Sequence, residues 1–325
     1  MSVQPRSSGL LQGALFAATV ITTTAAGALQ VHSSGDIAPI ADGLPFSVPL
    51  LLILLFHEFG HYIAARLHKV PASLPYFVPL PPWIGLFGTM GAVIKMPGSP
   101  TDRRKLIDIG AAGPLAGLAI AIPVLLYGLS KSLVLPTSSS GLQEGNSLLY
   151  LGLKFLATGR WLPDGTFDVN LHPTAMAGWA GLLVTMLNLL PFGQLDGGHV
   201  MVARFGNKYS ALAGKLHRLL LLLAGGVFVF TYVLVTRAAA AGRVAVVGGE
   251  TLPAVLVALQ AAMPWIFWFV IVRILRRLGG GEDHPPVDEK PLGLGRRILF
   301  AVVVLAFLAI FMPIPLRVSL GGAVP

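Results

Sequence analysis

Apolar runs of about twenty residues recur along this chain, and the charged residues gather in the short segments between them. A helix needs about 20 residues to cross a hydrocarbon core of about 30 Å. The pattern therefore predicts membrane-spanning helices near residues 10–29, 45–66, 106–129, 174–191, 216–236, 252–275 and 297–315. The expected fold class is an all-α polytopic membrane protein with about six to seven transmembrane helices. The count has that range because the first run, with Arg6 ahead of it and Ala26-Gly27-Ala28 at its end, has the outline of a cleavable signal as well as of a span; retention is the reading adopted.

The stretch from Pro71 to Pro100 breaks the helical pattern. It is apolar, yet Pro71, Pro75, Pro79, Pro81 and Pro82 exclude a regular helix. The residues that follow, Gly88 to Met96, are short and β-permissive. Lipid tolerates non-helical backbone only where protein or a wet cavity satisfies its polar groups. The segment is accordingly read as a re-entrant, β-hairpin-like element between the second and third spans; a loop lying on the headgroups is the alternative. The longest connections, Lys131 to Pro173 and Arg276 to Arg296, are too short to bury a core. The first holds a candidate amphipathic helix, Ser147 to Ala157, and the second a linker rich in Gly, Pro and charge, Gly279 to Lys290. Residues 1–325 thus form one integral membrane domain.

Composition agrees: 54% of residues are hydrophobic and 11% charged, against about 25% charged in a soluble domain. The formal charge of +9 is no sign of nucleic acid, because Lys and Arg sit beside apolar segments and form no basic stripe. Most of them fall on one side if the N-terminus is cytoplasmic: Arg6, the group from Arg66 to Lys105, the group from Arg204 to Arg218, and the group from Arg273 to Arg297. That bias predicts a cell (inner) membrane protein with a cytoplasmic N-terminus. Cys is absent, so any metal must be held by His, Asp or Glu.

Such a set exists. His57-Glu58-Phe59-Gly60-His61, near the inner end of the second span, has the H-E-x-x-H arrangement. Residues at i and i+4 share a helix face, so both imidazoles reach one ion, while Glu58, one step round, approaches an open coordination position. At the inner end of the fourth span the chain reads Asn188-Leu189-Leu190-Pro191-Phe192-Gly193-Gln194-Leu195-Asp196-Gly197-Gly198. Pro191 and the glycines are expected to break the helix and present Asp196. The second and fourth spans run in the same direction, which brings Asp196 to the face of His61. Two His and one carboxylate leave a position open, as a catalytic zinc requires; other divalent ions accept the same ligands.

These motifs, with Gly113-Pro114-Leu115-Ala116-Gly117 in the third span, resemble those of the site-2 protease family of intramembrane zinc metalloproteases, in its PDZ-less branch. The resemblance implies one zinc per chain on His57, His61 and Asp196, Glu58 as general base, and Asn188 as a stabiliser of the substrate or its oxyanion. It implies an edge formed by Gly88, Thr89, Met90, Gly91, Ala92 and Val93 that receives substrate, and a catalytic core of about residues 45–206 followed by C-terminal helices at about 215–316. The expected partners are transmembrane protein substrates and the lipid bilayer, with regulated intramembrane proteolysis near the cytoplasmic face as the activity. A catalytically silent binder of membrane proteins and a metal ion transporter are the rival readings. Asp108 is read as an acid favoured by a helix N-terminus rather than a partner of a ligand imidazole, His199 as a polar residue facing water rather than a proton relay, and His172 and Trp179 as interfacial anchors.

Overall fold

The structure, a computed structural model, describes residues 9–31, 39–96, 101–136, 140–240, 254–278, 287–288 and 290–320. Helix α1 (Gly9–Val31) leads through a 3-10 turn at Ile40–Gly43 into α2 (Leu44–Leu67). A two-stranded ribbon, β1 (Tyr76–Pro79) and β2 (Thr89–Val93), precedes α3 (Arg103–Ser130). Next come β3 (Leu133–Pro136), β4 (Ser140–Glu144), α4 (Leu148–Thr158) and β5 (Phe167–Asn170), then α5 (Pro173–Asn188), α6 (Asp196–Phe205), α7 (Tyr209–Ala240), α8 (Ala254–Leu278), α9 (Leu294–Ile310) and β6 (Leu316–Leu320).

A helix stands at each of the seven predicted spans, and they differ in length. Among the described residues five helical stretches are long and apolar enough to cross a membrane: Gly9–Val31, Ile40–Leu67, Arg103–Ser130, Leu212–Arg237 and Ala254–Ile274. The other two fall short, α5 with 16 residues and α9 with 17. Proline sets both limits. Pro191 ends the run that the hydropathy carried past Asn188, and Pro313 and Pro315 stop α9 short of the strand β6. In α7 only 6% of the apolar window is buried, so Leu222 and Phe230 face outward, as side chains facing lipid do.

The core lies where α3 crosses α2 and α5, and small residues let the backbones approach. A side chain at Gly60 would meet the Ala112 carbonyl, one at Gly178 the Leu125 backbone, and one at Gly181 the Ile53 side chain. Phe46, Leu50, Ile53, Leu125 and Met186 fill the space between and are almost wholly buried. Trp179 is also buried, and its Nε1 donates to the Gly145 carbonyl at 2.9 Å. It packs the core and does not anchor an interface. His172 is likewise not an anchor but the N-cap of α5, its Nδ1 accepting from the Thr174 N–H.

The proline-rich stretch forms an antiparallel ribbon with Tyr76 opposite Val93, Phe77 opposite Ala92 and Pro79 opposite Thr89. Helix α1 holds it from outside: Thr22 Oγ1 donates to the Gly88 carbonyl at 2.6 Å, Gln12 Nε2 to Leu74 at 2.9 Å and Gln30 Nε2 to Leu86 at 3.0 Å. The connection after α3 contains the expected amphipathic helix, as α4 with Ser147 as its N-cap, and also two antiparallel pairings that the sequence did not suggest, β3 with β5 and β4 with β6. Of the linker expected at Gly279 to Lys290, only residues 287–288 and 290 are among the described residues.

Candidate metal centre and active site

Helix α2 carries His57, Glu58 and His61, all buried, and turns both imidazoles toward α3. The glycines of α3 make room. A Cβ at Gly113 would run into the His61 ring, and one at Gly117 would stand 3.0 Å from Nδ1 of His57. Pro114 has no N–H to give the Gly110 carbonyl, so the helical ladder of α3 is open beside the site. This is the physical content of Gly113-Pro114-Leu115-Ala116-Gly117: two vacancies for rings and one loosened turn.

The third donor comes from the loop after α5. Gly193 takes φ +56, a left-handed conformation that glycine adopts without strain, and the chain re-enters a helix at Asp196, the first residue of α6. An anion at that position is favoured by the helix dipole. Gly197 and Gly198 were expected to break a helix; both lie inside α6. Their role is close approach, because a Cβ at Gly197 would meet the Leu189 carbonyl and one at Gly198 the Gly193 carbonyl. The loop is thereby folded flat against the start of α6.

The three donors converge. Asp196 Oδ2 lies 3.2 Å from His57 Nε2 and 3.2 Å from His61 Nε2, and the donor atoms all fall within 4.8 Å of one another. His61 Nδ1 is 2.8 Å from the Ile109 carbonyl; since a carbonyl only accepts, the proton is on Nδ1 and the Nε2 lone pair points to Asp196. The Asn188 amide nitrogen lies 3.2 Å from His57 Nε2. With both imidazoles neutral and Nε2 unprotonated, three lone pairs face one point, and a metal cation completes that arrangement. Ligands at about 2.0–2.1 Å from a tetrahedral zinc stand about 3.3 Å apart, close to the spacing found. The donor set therefore fits a zinc ion.

Ile94, the residue after β2, lies beside Glu58. The end of the ribbon thus borders the acid of the motif. On β2, Thr89 is buried with its Oγ1 on the Val78 carbonyl at 2.9 Å, while Met90 and Val93 are exposed. β1 occupies one edge of β2 only.

One site contact was not legible in the sequence, the Ile109 carbonyl on His61, because a backbone partner leaves no residue type to recognise. Asp108 is also reassigned. It binds neither ligand histidine, and α3 is capped by Asp102, which accepts from the Arg104 N–H at 2.8 Å. Asp108 instead faces Arg296 at 2.7 Å and His68 at 2.9 Å. His199 is half-buried, with its Cβ 3.2 Å from where a Cβ on Gly110 would stand.

Comparison with known proteins places this geometry. The probable zinc metalloprotease EGY1, chloroplastic, of Arabidopsis thaliana is 39% identical over 174 residues, which is 52% of this chain and 31% of that protein. EGY2 of the same plant is 34% identical over 173 residues, 52% of this chain and 30% of its own length. EGY3 of Oryza sativa subsp. indica is 25% identical over 311 residues, 86% of this chain and 44% of its own length. The chain spans less than half the length of each of these relatives. No solved structure matches it. Residues 45–231, more than half of the sequence and the whole of the site just described, match peptidase family M50, and the chain belongs to that family, the site-2 proteases.

Proposed function

We propose that this protein is an intramembrane zinc metalloprotease that hydrolyses peptide bonds of membrane-spanning proteins, within a single integral membrane domain whose catalytic core is about residues 45–206. The observation that carries the reading is the convergence of His57 Nε2, His61 Nε2 and Asp196 Oδ2 beside the buried Glu58. His57, His61 and Asp196 would hold the zinc, which would supply Lewis acidity and a water made acidic enough to lose a proton near neutral pH. Glu58, buried beside the three donors, takes the proton from the attacking water and delivers it to the leaving nitrogen. Asn188, whose amide nitrogen stands 3.2 Å from His57 Nε2 at the edge of the donor set, turns its N–H donors to the substrate oxygen as charge develops on it.

A substrate helix has its amides bonded internally and must unwind to be cut. The free edge of β2, Gly88 to Val93, pairs with the unwound strand and restores the lost hydrogen bonds, in the manner of strand addition to a sheet edge. On this reading the ribbon is re-entrant, lying at membrane depth against α1 and α2. The N-terminus and the active-site end lie on the side that retains Lys and Arg, the cytoplasmic face of a cell membrane; the relatives in plants are named as chloroplastic.

The test is cleavage of single-span membrane substrates by the purified protein in liposomes, wild type beside Glu58→Gln, with metal content measured in both. Cleavage by wild type alone, with about one zinc in each, is the expected result. Activity that persists in Glu58→Gln would remove the base from the mechanism. Zinc bound by both without any cleavage would favour a silent binder of membrane proteins.

A further inference from the structure

Helix α9 lies beyond the segment matched to family M50, and its Arg296 does not face lipid. Arg296 Nε and Nη2 stand 3.0 and 2.7 Å from the Asp108 carboxylate on α3, a two-pronged contact. His68, the C-cap of α2, brings its Nε2 to 2.9 Å from the same carboxylate. One carboxylate therefore joins α2, α3 and α9. The residue after Asp108 is Ile109, whose carbonyl takes the Nδ1 proton of His61 at 2.8 Å. His68 follows His61 by two turns on the same face of α2, so the clamp and the ligand contact are neighbours along one seam.

We infer that Arg296 is a positioning residue for the metal site: through Asp108 it fixes the register of α3 on α2, and so holds the Ile109 carbonyl against His61 and aims the His61 ring at Asp196. This rests on the proposed metal site. Register matters here because the seam has no slack. Gly60 lies against the Ala112 backbone and Gly113 against the His61 ring, so a small slide of α3 moves the carbonyl and crowds the imidazole together. Pro114 leaves the turn after Ile109 without its full set of helical bonds, which makes an outside hold on that turn more consequential.

Global folding does not depend on the clamp. The carboxylate and guanidinium are 22% and 33% exposed, and pairs of that kind add little to stability. The approach to α9 is fastened separately: Asp288 N–H donates to the Thr101 carbonyl at 2.8 Å, Val287 N–H to Asn207 Oδ1 at 3.0 Å, and Val287 and Leu292 are buried beside Leu106 and Ile107. Arg296 can be changed while α9 stays in place.

The experiment measures zinc affinity of the full chain in detergent micelles by competition with a chelator, the absorption spectrum of the Co2+-loaded protein, and thermal unfolding of the metal-free form. Arg296→Ala is expected to weaken zinc about 10-fold, the low end for groups acting through a ligand's partner, and to alter the Co2+ spectrum. Asp108→Asn should do the same, and the double variant should be no worse than either. Arg296→Lys, with charge but no fork, should recover part of the loss. Arg297→Ala is the control, since Arg297 Nε bonds the Leu292 carbonyl at 3.0 Å, away from Asp108; it should leave affinity unchanged. Should Arg296→Ala not fold, Arg296→Gln and Asp108→Asn carry the same comparison. Affinity and spectrum equal to wild type in Arg296→Ala, or a lower unfolding temperature with affinity intact, overturns the inference. A wild type that binds no zinc overturns the metal site itself.

Discussion

Among the described residues two clusters of buried ionisable groups are completed in different ways. In the connection after α3, the Lys154 side chain has no exposure and lies 3.2 Å from Glu144 and 2.8 Å from Asp168. The Tyr150 ring stands under its ammonium at 4.6 Å, and the Tyr150 hydroxyl donates to Glu144 at 3.0 Å. Donors meet acceptors, the cation is part of the chain, and the carboxylates keep partial access to solvent. At His57, His61 and Asp196 the atoms that meet are two imidazole Nε2 and a carboxylate oxygen, a set of metal ligands with no cation of the chain among them. One cluster closes on itself and the other is closed only by a ligand. A buried charge costs several kcal/mol unless compensated, so the second cluster persists through what it binds.

The largest expected effect comes from breaking the open cluster. Asp196→Ala should abolish stoichiometric zinc binding and lower cleavage by at least about 1000-fold, as loss of a metal-activated nucleophile implies, with helical content kept in circular dichroism. Chelation of the wild type should reproduce that loss, and added zinc should reverse it. Retained activity after complete metal removal would sink the distinction between the clusters.

Breaking the closed cluster should have the opposite signature. Lys154→Met strands Glu144 and Asp168 without their cation, and removal of one side of a buried pair costs about 3–5 kcal/mol. Thermal or denaturant unfolding should register that loss while zinc affinity of the folded fraction stays at the wild-type value. A shift in affinity would mean that the two clusters communicate.

A smaller effect separates ligand chemistry from ligand placement. Gly113→Ala keeps every donor but places a methyl against the His61 ring. The displaced ring should cost about 10- to 100-fold in zinc affinity, the range seen when a ligand's orientation is disturbed. Gly159→Ala, at a position with open space but φ +71, should cost only local backbone strain of about 1 kcal/mol and leave zinc untouched.

The sequence made the open cluster more legible than the closed one, for a physical reason. His57, Glu58, His61 and Asp196 are rare residue types in an apolar chain, held at fixed spacing, and a metal needs those types. Lys154 carries no such signal, because its partners, Glu144 and Asp168, lie on strands whose pairing β3–β5 and β4–β6 no periodicity announced. The end of α5 was hidden for a similar reason: hydropathy does not see that the helix stops at Asn188, ahead of Pro191, in a loop that belongs to the site. Gly113 and Gly117 were visible as a motif, yet their task, leaving space for two imidazoles, depends on which helix faces which.

The finest test of the closed cluster uses Tyr150. Burial, with the nearby Glu144 charge adding to it, raises its phenol well above the ordinary value of 10. The folded state then holds the phenolic proton more tightly than the unfolded chain does. Stability from this source is complete below about pH 10, falls as the pH rises above the unfolded value, and is gone once the pH passes the folded one. Tyr150→Phe removes both the hydrogen bond to Glu144 and that dependence. It should cost about 1 kcal/mol at neutral pH, and its unfolding temperature should fall less steeply than that of wild type between about pH 10 and 11. Parallel profiles would show that Tyr150 packs against Lys154 without being held as a neutral donor, and the cluster would then owe its closure to the lysine alone.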